Sequence, residues 1–395
     1  MKKEYIDGDR LNGLEYDFTA IKKEFKKLKI PADVYNPSHL PLQDCKWFIT
    51  MSERARGKTT NLLLLGLCFR KLYGTQIQYL RTREIMITKK NIETMFSNIV
   101  ASEQHYVQKL TDDKYNNIVY KARKFYYANT DADGNIIDID ETACCVCLSI
   151  DKAEVYKSAY ETGGVGDFII FDEFIEKYYY PSQFLDLCQL LSTIIRKRQS
   201  PLIFLSANTI DKNSPFFSEL MINDAIDTLD RGESKIVTTP YGTKIYCEIL
   251  GKQMPKANKK QSVLNKLFFG FQNPKLVSIT GAGVWAVANY PHTPEEYTIL
   301  NKQHYLEYND KLVRLEVCRR DFDIFINCHY ATKTYDDSVI YSMEFPNDKN
   351  HRYKLGFTKA DAFLWDRLKK NLFTYSDNSV GALVESYYNL CLKSR

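Results

Sequence analysis

The sequence predicts an α/β fold with a mainly parallel β-sheet, because apolar strand-like runs alternate with helical segments along its first half. The first run, residues 45–50, is followed by a tight turn at Gly57 and by an apolar helix that ends at Gly74. Two later runs, residues 168–171 and 202–208, each end in polar side chains. Uninterrupted apolar strands joined by helices are typical of a parallel sheet covered on both faces. The polar strand ends are expected to line a ligand crevice.

The turn between the first strand and its helix carries a phosphate-binding pattern. Residues 52–60 read SERARGKTT and match G-x-x-x-x-G-K-[ST], except that Ser52 replaces the first glycine. Gly57 lets the backbone approach a phosphate, Lys58 places its ammonium against the β and γ oxygens, and Thr59 ligates magnesium. A chance Gly-Lys-Thr at a helix start is the alternative, but the flanking strand and helix are the context that the motif requires. The predicted nucleotide-binding residues are Ser52, Arg54, Gly57, Lys58, Thr59, Thr60 and Asn208.

The acidic end of a second strand supplies the other half of the predicted site. The run FIIF leads into Asp172 and Glu173, so that Asp172 can hold magnesium through water and Glu173 can polarise the attacking water. We expect Lys58 and Asp172 to meet at ATP and Mg²⁺ from adjacent strands of one sheet. Ser206 and Asn208 end a third strand, where a γ-phosphate sensor is expected. A solvated turn is the alternative for either strand end.

Composition limits the possible classes of protein. A chain of 395 residues is long enough for two or three domains, and a hydrophobic content of 44% excludes wholesale disorder. No run of 18 apolar residues and no signal-peptide pattern is present, so we expect a soluble chain that is not secreted. The ten cysteines lack zinc-site spacing and are expected to be reduced thiols. The net charge of +5 is consistent with nucleic-acid binding but does not establish it.

Basic residues after the first helix are candidate phosphate contacts. Residues 76–83 are predicted as a strand, and residues 88–103 as the helix that follows it. The carboxyl end of such a strand faces the ligand crevice, so its arginines could reach a phosphate of a nucleotide or of DNA. A surface salt bridge is the alternative. The predicted nucleic-acid contacts are Arg81, Arg83, Lys89 and Lys90.

Two segments carry β-hairpin patterns. Residues 118–129 and 136–150 flank DADGN, and Asp-Gly between alternating runs is typical of a tight hairpin turn. Residues 235–250 are predicted as a second hairpin that finishes the sheet, after a helix at residues 216–227.

A further helix, residues 183–199, ends in a cluster of cations that includes Arg196 and Arg198. Cations at a helix C-terminus are favoured by the helix dipole, which alone could explain them. An arginine between the acidic strand and the third strand could instead reach the γ-phosphate of a neighbouring subunit. Arg196 is the preferred candidate for this catalytic role.

Composition also divides the chain into three predicted parts. Residues 1–250 form the nucleotide-binding domain, residues 251–298 form a lysine-rich linker with prolines and glycines, and residues 299–395 form a β-rich domain. Helices are expected in this last part at residues 360–372 and 380–392. The acidic residues on or near its strands, whose spacing does not mark a metal site, are Glu316, Asp321, Asp323 and Glu344.

The ordered motifs SERARGKT, FIIFDE, an arginine-bearing helix and LSAN resemble the additional-strand class of P-loop motor ATPases, which has a RecA-like core. Arg54 in the loop and the S-A-N strand end resemble viral genome-packaging ATPases, the large terminase family. The size, motif spacing and short β-rich tail are most similar to the packaging motors of small podoviruses with protein-primed linear double-stranded DNA genomes. The resemblance covers roughly residues 45–300 and is specific mainly in the phosphate loop and the acidic strand.

The resemblance implies a homomeric ring, most often a pentamer, that docks on the portal of an empty procapsid in the host cytoplasm and pumps double-stranded DNA inward. A structural RNA often links motor and portal in this subgroup. It further implies that Lys58 and Thr59 bind nucleotide and magnesium, that Arg196 acts in trans, and that Asn208 couples hydrolysis to movement. Large terminases carry an RNase H-like nuclease, so the tail is expected to be a degenerate, non-cutting form that binds DNA, RNA or the portal.

Two other functions are compatible with these residues. The first is a helicase or another ring-type DNA translocase with the same core. The second is a nucleic-acid-binding scaffold whose phosphate loop is a relict. The intact set of Lys58, Thr59, Asp172 and Glu173 argues against a relict loop.

Overall fold

The computed structural model describes residues 16–52, 56–159, 165–176, 179–180, 182–195, 201–208, 212, 214–251, 290–343, 349–356 and 359–393. The chain divides into two compact units. The first comprises Met1–Glu176, Pro181–Ile210 and Asp224–Lys256, and the second comprises Lys177–Tyr180, Asp211–Asn223 and Ala257–Arg395. The predicted three-part division stays a prediction, and residues 252–289 of its linker lie outside the described residues.

The described residues form α-helices and strands in alternation through the first unit and mostly strands in the second. The helices are α1 (Phe18–Lys27), α2 (Lys58–Tyr73), α3 (Lys89–Ile92), α4 (Ser97–Val100), α5 (Tyr106–Thr111), α6 (Ala153–Ala159), α7 (Gln183–Ile195), α8 (Pro215–Glu219), α9 (Asn223–Asp227), α10 (Lys359–Lys369) and α11 (Asn378–Lys393). The strands are β1 (Trp47–Met51), β2 (Thr75–Arg81), β3 (Asn117–Lys121), β4 (Lys124–Thr130), β5 (Ile136–Ile139), β6 (Cys145–Ser149), β7 (Val165–Asp172), β8 (Leu202–Ala207), β9 (Ser234–Thr238), β10 (Lys244–Ile249), β11 (Thr298–Tyr308), β12 (Lys311–Arg320), β13 (Asp323–Tyr330), β14 (Val339–Ser342), β15 (His351–Tyr353) and β16 (Phe373–Tyr375).

The sheet of the first unit confirms the predicted α/β fold. Its strand order is β3-β4-β6-β2-β7-β8-β1-β10-β9, with β5 paired to β4. The six central strands, from β6 to β10 in this order, are all parallel to one another. Strand β8 lies between β1 and β7. The expectation that the phosphate loop and the acids come from adjacent strands is therefore wrong, because one strand separates them.

Helix α2 packs closely on this sheet because its sequence is apolar on every side and contains one glycine. A Cβ on Gly66 would lie 2.7 Å from Ile77 Cγ1 and 2.9 Å from Phe168 Cδ1. The helix ends as predicted at Gly74, whose φ of 71° is in the left-handed region that favours glycine. The middle of α2 therefore lies in close contact with β2 and β7.

Two predicted helices are each broken into shorter pieces. In the segment predicted as a helix at 88–103, the side chains of Asn91 and Thr88 donate hydrogen bonds to the Ile85 carbonyl, at 2.6 and 3.1 Å. Such bonds compete with helical ones, and only α3 and α4 form. The segment predicted as a helix at 216–227 is divided into α8 and α9 near Met221, which has a φ of 59°.

The predicted hairpins are confirmed, except that each predicted arm around the first turn forms two strands. Residues 118–129, predicted as one arm, cover β3 and β4, which pair antiparallel with each other. Strands β4 and β5 pair antiparallel around the Asp-Gly turn, and β9 and β10 form the hairpin that finishes the sheet. The run 136–150 was predicted as a single arm, but it forms two strands. Its cysteine-rich part is β6, which is buried in the sheet beside β2.

The second unit contains a six-stranded sheet in the order β15-β14-β11-β12-β13-β16. Strands β11, β12 and β13 are antiparallel, whereas β14 and β15 run parallel to β11 and to each other. Helices α10 and α11, both predicted, bury Leu364 and Leu383 in one core with Leu315 and Ile326 of the sheet. The nuclease-like character of this unit stays a prediction.

Candidate nucleotide-binding site

The loop between β1 and α2 has the backbone conformation that a phosphate-binding turn needs. Gly57 is the N-cap of α2 and has a φ of 73°, a region that non-glycine residues rarely adopt. Ser52 is buried, and its backbone N–H donates to the Ala207 carbonyl at the end of β8, at 3.2 Å. Thr60 lies in the first turn of α2 and is half-buried. Arg54, predicted to contact nucleotide, lies outside the described residues.

Lys58 is buried between the loop and the end of β8. Its Nζ donates to Ser52 Oγ at 2.5 Å and to Asn208 Oδ1 at 3.0 Å. Burial and the nearby Arg56 charge lower the pKa of Lys58 to about 8, although Asp172 and Glu173 oppose this shift. The serine that replaces the usual first glycine therefore supplies an oxygen that holds the lysine.

Asp172, at the end of β7, contacts the first turn of α2. Its Oδ2 accepts hydrogen bonds from Thr59 Oγ1 and from the Tyr79 hydroxyl, both at 2.9 Å. Its Oδ1 is buried without a hydrogen-bond partner in the described part of the chain. Burial, followed by the Asp172 charge, raises the pKa of Tyr79, which stays a hydrogen-bond donor. A carboxylate oxygen that lacks a partner, next to a threonine hydroxyl, fits the all-oxygen coordination that Mg²⁺ prefers.

Glu173, the predicted general base, is held by two donors. Arg81 ion-pairs with Glu173 Oε2, and Asn208 Nδ2 donates to Glu173 Oε1 at 2.9 Å. The φ of Glu173 is 54°, in the left-handed region, which is a strained backbone for a glutamate. Asn208 thus contacts both Lys58 and Glu173, and joins the phosphate loop to the acidic strand end.

Arg81 belongs to this acidic cluster. Besides its ion pair with Glu173, its Nη1 lies 3.8 Å from Asp172 Oδ2 and donates to the Tyr79 hydroxyl at 3.4 Å. Burial alone would lower the pKa of Arg81, but Tyr79, Glu173 and Asp172 raise it. Sequence reasoning placed Arg81 at the crevice but did not identify Tyr79. The signal for Tyr79 was its position two residues before Arg81, on the same face of the strand.

The other predicted nucleic-acid contacts lie on the surface. Arg83 pairs with Glu176 at 3.5 Å and Lys89 with Glu93 at 3.7 Å, and both basic side chains are more than half exposed. Lys90 is also exposed. Pairs of this kind match the salt-bridge alternative, and contact with DNA stays a prediction. Arg196 and Arg198 lie outside the described residues.

The predicted acids of the second unit that the structure describes do not form a metal site. Glu316 is buried on β12, where its Oε1 lies 3.1 Å from His329 Nε2 and 3.7 Å from Arg314 Nη1. Asp321 occupies the turn before β13 and Asp323 is the first residue of that strand, whereas Glu344 lies outside the described residues. Within the described ranges, no group of three or more His, Cys, Asp or Glu residues is placed to hold a metal ion. No described helix is long and apolar enough to cross a membrane.

Comparison with known proteins identifies related folds. No protein-family model and no curated protein matches this sequence. Among solved structures, the Phi-28 gp11 DNA packaging motor aligns with a TM-score of 0.53 and 13% identity, over 91% of this chain and 98% of its own. The bacteriophage Phi-29 viral genome packaging motor assembly aligns with a TM-score of 0.55 and 14% identity, over 91% of this chain and 100% of its own. The fold of this chain is therefore similar to theirs over nearly its whole length.

Proposed function

We propose that this chain is an ATPase that drives double-stranded DNA into a preformed viral procapsid as a subunit of a ring-shaped motor. The observation that carries the proposal is the convergence of the phosphate loop and the acids at one edge of the sheet. Thr59 and Asp172, which are 113 positions apart in the sequence, are joined by a hydrogen bond of 2.9 Å. The likeness of the fold to two phage packaging motors supports the same function.

Each residue of this edge has a defined chemical role. Lys58 faces the β and γ oxygens of ATP, after exchange of its contacts with Ser52 and Asn208 for the phosphates. Thr59 and Asp172 would hold magnesium, which would neutralise charge on those oxygens. Glu173 accepts the proton of the attacking water. The Asn208 amide, which reaches both Lys58 and Glu173, links hydrolysis at the acids to the position of the phosphate loop.

The partners follow from the same likeness. We propose a homo-oligomeric ring, a pentamer as the sequence resemblance implies, that acts at the portal of the procapsid in the host cytoplasm, with or without a structural RNA. Arg196 completes the site of the neighbouring subunit. The second unit is a nuclease-like domain that binds nucleic acid or the portal and does not cut.

Hydrolysis of ATP by the wild-type protein and by Glu173→Gln tests the proposal. Loss of a general base lowers the rate by roughly 10²- to 10⁴-fold, while ATP binding persists. Glu93→Gln, a change at an exposed glutamate, serves as the matched control and retains the wild-type rate. Equal rates for wild type and Glu173→Gln would overturn the enzymatic function and favour a relict loop.

A second experiment distinguishes a packaging motor from a helicase. Duplex DNA accelerates hydrolysis by a packaging motor, and the duplex stays paired. Release of a labelled strand from a duplex, dependent on ATP, would instead identify a helicase.

A further inference from the structure

We propose that Tyr35 and Glu248 form a tether that holds the phosphate loop in the shape that binds a nucleoside triphosphate. The inference rests on the proposed ATP site and deepens it, because both residues lie outside the phosphate-loop and acidic motifs. Neither residue is close in sequence to the loop, yet Tyr35 contacts both the loop and Glu248. Both act as positioning residues.

The main chain of Tyr35 forms hydrogen bonds with residues on both sides of Gly57. The Tyr35 N–H donates to the Arg56 carbonyl at 2.8 Å, and Asn61 Nδ2 donates to the Tyr35 carbonyl at 2.5 Å. Arg56 precedes Gly57, and Asn61 follows it in the first turn of α2. The neighbouring Val34 Cβ lies 3.3 Å from the position that a Cβ on Gly57 would take. Residues 34–35 therefore form one wall of the turn.

The side chain of Tyr35 is anchored to strands β10 and β1. Its hydroxyl donates to Glu248 Oε1 on β10 and lies 3.2 Å from Thr50 Oγ1 on β1. Thr50 Oγ1 also donates to Glu248 Oε1, at 2.8 Å, and His39 Nε2 lies 3.0 Å from Glu248 Oε2. Tyr35, Thr50 and Glu248 are each no more than 5% exposed. A carboxylate this deeply buried is costly unless it is fully hydrogen-bonded, so these contacts fix its position.

The anchor belongs to the same row of the sheet as the acidic strand end. Glu248 is the Cα partner of Thr50, Thr50 of Ser206, and Ser206 of Asp172. All four residues are buried, and they cross β10, β1, β8 and β7 in register. The backbone hydrogen bonds of the parallel sheet join these four strands, and they hold the row of residues in register. The tether therefore fixes the loop relative to β7, the strand that ends at Asp172 and Glu173.

This arrangement predicts a specific kinetic signature. Releasing the tether loosens the loop that surrounds the phosphates, but leaves Lys58, Asp172 and Glu173 in place. We expect Glu248→Gln and Tyr35→Phe each to weaken ATP binding and raise KM by about tenfold, the size of one hydrogen bond to a charged group. The kcat at saturating ATP stays within about twofold of wild type, because the groups that act on the transition state are unchanged.

The experiment measures ATP affinity by equilibrium titration and kcat and KM by steady-state hydrolysis, with full-length protein. Asp44→Asn is the matched control: Asp44 pairs with Lys244, so it joins the same segment before β1 to the same strand β10, but on the exposed surface. It leaves KM unchanged. The double variant Tyr35→Phe/Glu248→Gln is expected to bind ATP no more weakly than the single variant with the lower affinity, because both substitutions remove the same hydrogen bond.

Three outcomes decide the inference. Unchanged affinity in both single variants, with a lower melting temperature, would overturn it and assign the cluster to stability alone. An affinity loss in Asp44→Asn equal to that in Glu248→Gln would also overturn it. If the wild-type protein does not bind ATP, the proposed function itself is wrong. That result differs from the two outcomes above, in which the wild-type protein binds ATP.

Discussion

At the residue scale, Asp172 and Glu173 are neighbours in sequence with different surroundings, and the difference assigns their roles. Asp172 is buried, accepts two hydroxyl donors on one oxygen and leaves the other without a partner among the described residues. Glu173 is half-buried and is held by the cation of Arg81 and the amide of Asn208. A fixed carboxylate suits a metal ligand, whereas a carboxylate on an ion pair has to exchange that pair for water before it acts as a base.

The ion pair between Arg81 and Glu173 leads to the first prediction. Arg81→Gln removes the buried charge that orients both acids, and we expect the rate of ATP hydrolysis without DNA to fall about tenfold. Arg83→Gln is the matched control, because Arg83 lies two residues later, is 53% exposed and pairs in the described structure with Glu176 instead of with Asp172 or Glu173. Its hydrolysis rate stays within about twofold of wild type. Equal effects of the two changes would show that Arg81 has no special place in the site.

The residues that could be predicted from sequence are those whose role follows from covalent neighbours. Lys58 and Thr59 follow Gly57 directly, and Asp172 ends an apolar strand, so a local pattern is sufficient. The Tyr79 and Glu248 contacts could not be predicted in this way. Tyr79 is 93 positions from Asp172, and Glu248 is 213 positions from Tyr35, so that only the strand order brings them together.

At the element scale, the close contact of α2 with the sheet leads to a stability prediction. Gly66→Ala places a methyl group less than 3.0 Å from the buried side chains of Ile77 and Phe168. We expect a net loss of about 1–2 kcal/mol of unfolding free energy, because the overpacking outweighs the roughly 1 kcal/mol gained in helix propensity. Chemical denaturation measures this loss. Leu72→Ala, at a partly exposed position of the same helix, is the control; a stabilised Gly66→Ala would contradict the close contact.

The segment before β1 leads to a prediction of pH dependence through His39. Burial lowers the pKa of His39, but its hydrogen bond and charge interaction with Glu248 and its bond to the Asn36 carbonyl raise it above the usual value of 6.5. The Lys22 charge on α1 opposes the increase. The Tyr246 ring of β10 also contacts His39, with ring centroids 6.0 Å apart, as does the Tyr35 ring.

The sign of the effect follows from the raised pKa. The folded protein binds the His39 proton more tightly than the unfolded chain, so the stabilisation is complete below the unfolded pKa and is lost as pH rises through the folded pKa. We expect the melting temperature to fall between about pH 6 and pH 8, and to fall less in His39→Gln. A wild-type profile parallel to that of His39→Gln over this range would show that the pair with Glu248 does not contribute.

Elements were predictable where local pattern and tertiary structure agree. Helix α2 has a continuous apolar run at residues 62–69 and a glycine next to each end, and it ends where expected. The segment at 88–103 also has apolar residues at helical spacing, but its Thr and Asn side chains satisfy backbone groups locally, and the helix is interrupted. Hydrogen bonds from these polar side chains to a nearby backbone carbonyl therefore explain why the predicted helix is interrupted.

At the scale of the whole molecule, the parallel sheet was predictable, but its strand order was not. Alternation of strands and helices requires crossovers and therefore a parallel sheet. A crossover can place the next strand on either side, and the sequence contains no signal that β8 enters between β1 and β7. This inserted strand gives Asn208 its position between Lys58 and Glu173, so the coupling residue depends on topology as well as on motif.

The proposed ring leads to the last prediction, which concerns two subunits at once. If Arg196 acts on the site of its neighbour, an Arg196→Ala subunit retains a complete set of Lys58 and Glu173, while a Glu173→Gln subunit retains a working arginine. Each variant alone is expected to lose at least a hundredfold in hydrolysis rate. Mixed in equal amounts, they form productive interfaces at about one position in four, because either type occupies each place at random.

Activity of the mixture is therefore expected to exceed that of both single variants and to be greatest near equal proportions. A mixture of Lys58→Ala with Glu173→Gln is the matched control and recovers nothing, because both changes disable the site of their own subunit. Arg198→Ala in place of Arg196→Ala tests which arginine acts. No recovery with either arginine variant, although each is inactive alone, would place the arginine in its own subunit's site and remove the need for a neighbour in hydrolysis.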